Sequence, residues 1–438
     1  MKPINVGLLG LGTVGGGTLT VLRRNQEEIA RRAGREIRVT HAAVRNVERA
    51  HAKYAAEGLS ITDDAELIVN HPDIDIVVEL IGGISPAKEL VLTAIANGKH
   101  VVTANKALIA KYGNEIFARA QQQGVMVAFE AAVGGGIPII KAIREGLAAN
   151  RIEWLAGIIN GTCNFILSKM REEGRPFEEV LKEAQARGYA EADPTFDIEG
   201  IDAAHKITIL SAIAFGVPMQ FDAAHIEGIA QLQAADIRYA EELGYRVKLL
   251  GITKRHPHGI ELRVHPTLIP ARRLIANVEG VMNAVLVKGD AVGATLYYGA
   301  GAGAEPTASA VVADLVDVTR LHTADPNHRV PHLAFQPDRL VDLKVLPMAE
   351  VESAYYLRMR ALDRPGVLAD VARILADLDI SIEAVIQKEP AEGADQTDVV
   401  MLTHRVQERA IDQAIARIEA LPSIEGRVVR LRVEALNG

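Results

Sequence analysis

The hexapeptide Gly10-Leu11-Gly12-Thr13-Val14-Gly15 constrains this chain more than any other stretch. A short apolar run at 4–9 precedes it and a helical stretch at 16–32 follows. G-x-G-x-x-G between a strand and a helix is dinucleotide-binding chemistry. Gly10 permits a tight turn, Gly12 lets backbone approach a pyrophosphate, and Gly15 lets the helix pack closely on the strand. The helix N-terminus then receives the negative charge. The alternative is a glycine-rich turn with no ligand. Runs of strand length recur at 37–44, 74–80, 100–103 and 125–129, with helical stretches at 86–96 and 107–123. Strands alternating with helices imply a parallel, doubly wound sheet. NAD enzymes commonly carry an acidic residue after the second strand; Arg45 stands there instead and favours the 2′-phosphate of NADP.

At 438 residues the chain is long enough for two or three domains. Strands at 151–159, 246–253, 260–264 and 284–288, with helices at 165–172, 177–186 and 200–215, predict a second, mostly antiparallel sheet. Prolines at 326, 331, 337 and 347 mark a linker. Residues 355–433 read βαββαβ, a ferredoxin-like unit with a polar loop at 390–396. The expected domains are therefore 1–132 for the nucleotide, with helix 305–320 packing back on it, and 133–320 for substrate binding, catalysis and dimerisation. A linker at 321–352 and a small domain at 353–438 follow. A net charge of −8 without a basic block, and only 4% aromatic residues, argue against nucleic acid. No apolar run reaches the ~20 residues of a membrane span. Cys163 is the single cysteine, so no internal disulfide forms, and the N-terminus lacks a signal-peptide core. A soluble, cytoplasmic protein is expected.

The chemistry is placed at 188–206, GYAEADPTFDIEGIDAAHK, which carries Glu191, Asp193, Asp197, Glu199 and Asp202 and ends on Lys206. Asp202 and Lys206 share one face of a helix. As a surface pair they are worth only about 0.2–0.5 kcal/mol, but the apolar run at 207–215 has to be buried. Lys106, in Thr103-Ala104-Asn105-Lys106, sits at a strand's carboxyl end. It touches cofactor or substrate, or Asn105 merely caps a helix beside a solvated lysine. The segment 130–138 (EAAVGGGIP) is either a hinge or an all-oxygen site for a hard cation. Thr162 offers a hydroxyl to an anionic substrate group, or is an N-cap. The loop at 299–306 closes over a cofactor, or only connects. Cys163 has no local partner of a nucleophile.

Taken together, GLGTVG at 10–15, TANKALIA at 103–110, EAAVGGGIP at 130–138, NGTCNFIL at 160–167, the stretch 188–206, GAGAEPTASAVV at 301–312 and DRPGVLADVA at 363–372 resemble the bacterial homoserine dehydrogenases with a C-terminal ACT regulatory domain. The resemblance implies an α/β chain with an N-terminal Rossmann-type doubly wound domain, an α+β catalytic and dimerisation domain and a C-terminal ferredoxin-like ACT domain. It implies reversible, NAD(P)H-dependent reduction of L-aspartate 4-semialdehyde to L-homoserine, on the route to threonine, methionine and isoleucine. Lys206 would be the acid/base and Asp202 its partner, with Glu191, Asp197 and Thr162 on substrate. Gly10, Gly12, Thr13, Val14, Gly15, Arg45, Lys106 and Gly303 would hold NADP, with NAD possible. A monovalent cation, sodium, would sit on the Glu130 carboxylate and the carbonyls of Val133, Gly135 and Ile137. Threonine would act at Asp363, Gly366, Val367 and Leu368, and removing everything after about residue 351 should abolish inhibition and spare the chemistry. A homodimer or homotetramer is implied. The rival readings are another NADP-linked semialdehyde or imine reductase, and a sensor that binds nucleotide and amino acid without turnover.

Overall fold

The structure, a computed structural model, describes residues 2–54, 58–390 and 395–437. The first unit runs β1 (Ile4–Leu9), α1 (Thr13–Arg24), α2 (Gln26–Ala33), β2 (Ile37–Ala43), α3 (Val47–Tyr54), β3 (Ser60–Thr62), α4 (Ala65–Asn70), β4 (Ile76–Glu79), α5 (Ala87–Ala96), β5 (His100–Thr103), α6 (Lys106–Gln122) and β6 (Val127–Ala128). Its strands form one parallel sheet in the order β3-β2-β1-β4-β5-β6. The chain reverses its winding between β1 and β4, and the crevice at such a switch point is where ligands bind.

The second unit begins with a short turn, α7 (Ile139–Lys141), and then β7 (Ile152–Ile158), α8 (Gly161–Glu173), α9 (Phe177–Ala186), α10 (Thr195–Ile198), α11 (Ile201–Phe215), β8 (His225–Ile226), α12 (Ala234–Glu242), β9 (Tyr245–His256), β10 (Gly259–Pro270), β11 (Met282–Gly289), β12 (Gly293–Ala300) and α13 (Ala304–Leu321). Every residue of α11 from Asp202 to Phe215 is buried. A helix buried on every face belongs in a core, and this one packs between α6 and the strands β9 and β10. Gly216 ends it in the left-handed region at φ 65°. The third unit is β13 (Glu352–Leu362), α14 (Val367–Ala376), β14 (Ile382–Gln387), β15 (Gln396–Thr403), β16 (Val406–Gln407), α15 (Glu408–Glu419) and β17 (Ile424–Val433). Of the polar loop at 390–396, residues 391–394 lie outside the described residues.

The structure departs in several places from what the sequence led us to expect. Strands β3, β8 and β12 and helices α3, α4 and α12 were not anticipated. The second and third units also share a single sheet, β12-β11-β7-β9-β10-β17-β13-β15-β14. The join is a short parallel pairing in which Thr267 faces Arg432 and Leu268 faces Val433. The intervening segment is docked as well. His332 Nε2 accepts the Val127 N–H at 3.1 Å and its ring stacks on Phe117. Ile260 exchanges backbone hydrogen bonds with Lys344 and Leu346.

Helix α13 returns to the first unit. Val311 and Leu315 enter the core built by Leu19, Leu22 and Val78. A Cβ on Gly17 would lie 2.5 Å from the Ala304 carbonyl oxygen, so only glycine lets α1 and α13 approach this closely.

Candidate active site

Asp202 sits in the first turn of α11, is 3% exposed, and accepts from three sides. Lys206 Nζ donates to its Oδ2 at 2.7 Å, and Asn160 Nδ2 donates to the same oxygen at 2.8 Å. Lys106 Nζ lies 2.8 Å from Oδ1. Lys106 comes from the first unit, at the start of α6 just beyond the carboxyl end of β5, so the carboxylate joins two units of the chain. Lys206 also donates to the Ile159 carbonyl at 2.7 Å. The i,i+4 pair is thus one edge of a Lys–Asp–Lys triangle around a buried carboxylate.

The two ammonium groups are not equivalent. Burial, joined by the Lys106 cation, holds Lys206 below the usual lysine range against the pull of Asp202. Lys106 keeps a third of its side chain exposed. Burial opposes its charge, but Asp202, with Asp197 and Glu191 behind it, raises it. Burial alone would raise Asp202, yet the two lysines hold it well below the carboxylate range. Lys206 is therefore the member of the triangle that gives up a proton first. Sequence reasoning paired Asp202 with Lys206 alone. In the structure burial first, with the Lys106 cation beside it, outweighs the pull of Asp202 on Lys206.

The other predicted residues fall around this triangle. Asp197, in α10, accepts from Asn160 Nδ2 at 2.8 Å, and burial raises its carboxyl. Glu191 is exposed, near enough for its charge to act on Lys106. Thr162 is not the cap of α8. Asn160 is, accepting the Cys163 N–H at 2.8 Å, while the Thr162 hydroxyl donates to the Tyr189 carbonyl at 2.6 Å. Asn105 caps α6, as the second alternative has it, but Lys106 beside it is paired with Asp202 and is not a merely solvated lysine. Asn160 was missed as a site residue. Its amide bridges Asp197 and Asp202, and the only local signal was its place at the head of N-G-T. Phe196, whose ring lies 5.5 Å from Lys106 Nζ, was missed too. His205 is buried and stacked on Phe221. Burial, then Lys111, pushes it down to about 4, which keeps it neutral.

The nucleotide turn fits its expected ligand. Gly10 has φ 104°, and a Cβ there would crowd the Leu80 carbonyl oxygen at 3.0 Å. A Cβ on Gly15 would strike the Gly10 carbonyl, whereas nothing lies within 4 Å of one on Gly12. The first turn of α1, which contains Thr13 and Val14, has no side-chain cap and no acidic residue, so its N–H groups remain for an anion. Arg45 is exposed just beyond β2.

The second glycine loop is pinned rather than a flexible connector. Gly136 N–H donates to the Ala300 carbonyl at 2.9 Å, and a Cβ on Gly135 would lie 2.5 Å from the Gly301 carbonyl. Gly303, at φ 124°, leads from this contact into α13 beside α1. At 130–137, Glu130 Oε1 accepts the Ile140 N–H at 2.9 Å and Oε2 the Lys141 N–H at 2.8 Å, so the carboxylate caps the turn that follows the glycines. The Ile137 carbonyl accepts the Ile139 N–H. Burial pushes Glu130 up to about 7, and its N–H donates to buried Asp314. Among the described residues no group of three or more His, Cys, Asp or Glu side chains is arranged to hold a metal.

Family models match in three consecutive blocks. They are homoserine dehydrogenase NAD binding domain over residues 10–130, homoserine dehydrogenase over 138–316, and ACT domain over 355–423. The homoserine dehydrogenase of Pseudomonas aeruginosa is 65% identical over all of both chains, and that of Neisseria gonorrhoeae 61%. A crystal structure of a homoserine dehydrogenase from Thiobacillus denitrificans is 72% identical, with a TM-score of 0.96 over 100% of this chain and 99% of that one.

Proposed function

Since the chain belongs to the homoserine dehydrogenase family, an NAD(P)-dependent oxidoreductase family acting on CH–OH, we propose how its own residues carry the reaction. The observation that carries the reading is the Lys106–Asp202–Lys206 triangle around a buried carboxylate at the carboxyl ends of the nucleotide-binding sheet. The substrate pair is L-aspartate 4-semialdehyde and L-homoserine. A bound nicotinamide supplies or accepts the hydride. As the semialdehyde carbonyl is reduced, the developing alkoxide takes a proton from the Lys206 ammonium. In the reverse direction neutral Lys206 accepts the hydroxyl proton. Its depressed basicity brings the neutral form nearer to working pH. Asp202 orients Lys206 and keeps both cations in place. Asp197 and Glu191 hold the substrate ammonium, and Thr162 braces the wall that carries Glu191.

NADP is the proposed cofactor, on the strength of exposed Arg45 beyond β2. Sodium on Glu130 and the carbonyls of Val133, Gly135 and Ile137 is the proposed cation; it would brace this loop, and no step of the reaction is routed through it. Exposed Leu274, Val292 and Tyr298 around the β11–β12 hairpin support a homodimer or homotetramer. No helix among the described residues is long and apolar enough to cross a membrane, and a cytoplasmic location goes with the biosynthetic role. Threonine is the proposed effector at Asp363, Gly366, Val367 and Leu368. Gly366 (φ 97°) opens α14 without a side-chain cap there, and Leu368 is exposed.

Initial rates on aspartate semialdehyde with NADPH and NADH, with and without threonine, test the whole reading. Turnover favouring NADPH and slowed by threonine is expected. Cofactor binding without consumption would leave a non-catalytic sensor instead.

A further inference from the structure

The third unit reaches the catalytic cluster through a strut that the reaction itself does not use. Arg432, on β17 and 1% exposed, grips Glu227 with both terminal nitrogens: Nη1 to Oε2 at 2.8 Å and Nη2 to Oε1 at 2.9 Å. Its Nε donates to Glu408 at 2.7 Å. Glu227 directly follows β8, and its N–H donates to the Val264 carbonyl at 2.8 Å. The next residue has no room for a side chain. A Cβ on Gly228 would lie 2.5 Å from Glu199 Cα and would strike the Ile198 carbonyl. The Ile229 N–H donates to that same Ile198 carbonyl at 2.8 Å. Gly200 rests on the strut from the other side, where its Cβ would meet Val264 at 3.1 Å and Ile226 at 3.3 Å. Residues 198–200 thus lie on residues 226–229. They form the turn between Asp197 and Asp202, and the Gly200 N–H donates to the Asp197 carbonyl at 2.9 Å.

We propose that Glu227, clamped by Arg432, is a positioning residue that sets the height of 227–229 beneath the 198–200 turn and so the spacing of Asp197 from Asp202 and Lys206. A bidentate guanidinium–carboxylate pair fixes orientation as well as distance. The nucleotide turn shares no residue with this strut. A disturbance of the strut therefore reaches the amino-acid end of the substrate and spares the cofactor. The inference rests on the assignment of Asp197 to the substrate ammonium.

The test uses the full chain and steady-state homoserine oxidation with NADP, on Glu227→Gln and Gly228→Ala. Gly228→Ala leaves every charge in place, so its effect cannot come from an unpaired Arg432. Each variant is expected to raise the KM for homoserine about tenfold, since an ångström of misplacement is enough for that, with the KM for NADP within about twofold. Thermal unfolding shows which variants fold, and either one alone decides. Equal movement of both KM values, or an unchanged homoserine KM with a lowered unfolding midpoint, overturns the positioning role and leaves the catalytic reading standing. A wild-type chain that does not oxidise homoserine overturns both.

Discussion

One carboxylate between two lysines sets the residue-scale chemistry. Lys106 and Asp202 pull Lys206 in opposite directions, so their substitutions have opposite signs in the pH profile of homoserine oxidation. Removing the Lys106 cation with Lys106→Met takes away a repulsion and frees Asp202 for Lys206. The alkaline rise in kcat/KM for homoserine should then move to higher pH. Asp202→Asn removes the attraction and leaves the Lys106 cation, so the rise should move to lower pH. Shifts in the same direction would sink the triangle as the source of Lys206's basicity. Lys206→Met removes the proton carrier, and turnover in both directions should fall by about 10²–10⁴, with NADP binding followed by fluorescence unchanged.

At the scale of elements, two glycine loops that read as separate features act as one. Gly135, at φ 54°, sits against Gly301, and Gly136 bonds to Ala300. Gly135→Ala adds left-handed strain and a clash with backbone. It should destabilise the chain by about 1–3 kcal/mol, read as a lowered urea midpoint. Gly12→Ala has open space around its Cβ and no positive φ, so the fold should tolerate it. The loss there should be in NADP affinity. Helix α11 was legible because its run at 207–215 is apolar but for Thr208 and Ser211. Its start was also legible from Gly200, but the reason for glycine there, contact with Val264 and Ile226, was not.

Across the whole molecule, the shared sheet changes what the third unit is for. Arg263 is fully buried between Glu261 and Glu434, and Lys254 also pairs with Glu434 at 2.7 Å. Buried Asp236 holds Arg358 and the Tyr356 hydroxyl. The sequence-based expectation that the chain can be cut after about residue 351 with chemistry intact is therefore withdrawn. The cut strips β10 of a neighbour and takes Glu434 from Arg263, Arg432 from Glu227, and Arg358 with Tyr356 from Asp236, although Glu261 and His225 stay with the first two. Each uncompensated buried charge costs about 3–5 kcal/mol. The truncated chain should lose activity and unfold at lower temperature, as a thermal melt would show. Regulation is better tested in the full chain, where Asp363→Ala should relieve inhibition by threonine. The loop at 363–368 lies at the far end of β13 from the β10–β17 join, so its influence has to travel the length of that strand.

Local pattern determined much of this protein. A glycine turn between strand and helix, periodic apolar runs and a βαββαβ order are each written in adjacent residues, because turn geometry and amphipathic period are short-range physics. Lys206 and Asp202 were legible for the same reason, being one helical turn apart. Tertiary structure alone decided the rest. Lys106 is 96 positions from Asp202 in a chain whose two units meet at that carboxylate, and that second cation joins burial in lowering the basicity of Lys206. The Glu130 carboxylate was drawn to two backbone N–H groups that no spacing announces. The strands β10 and β17 pair across more than 160 residues, a contact set by which sheet edges remain unpaired once each unit has folded.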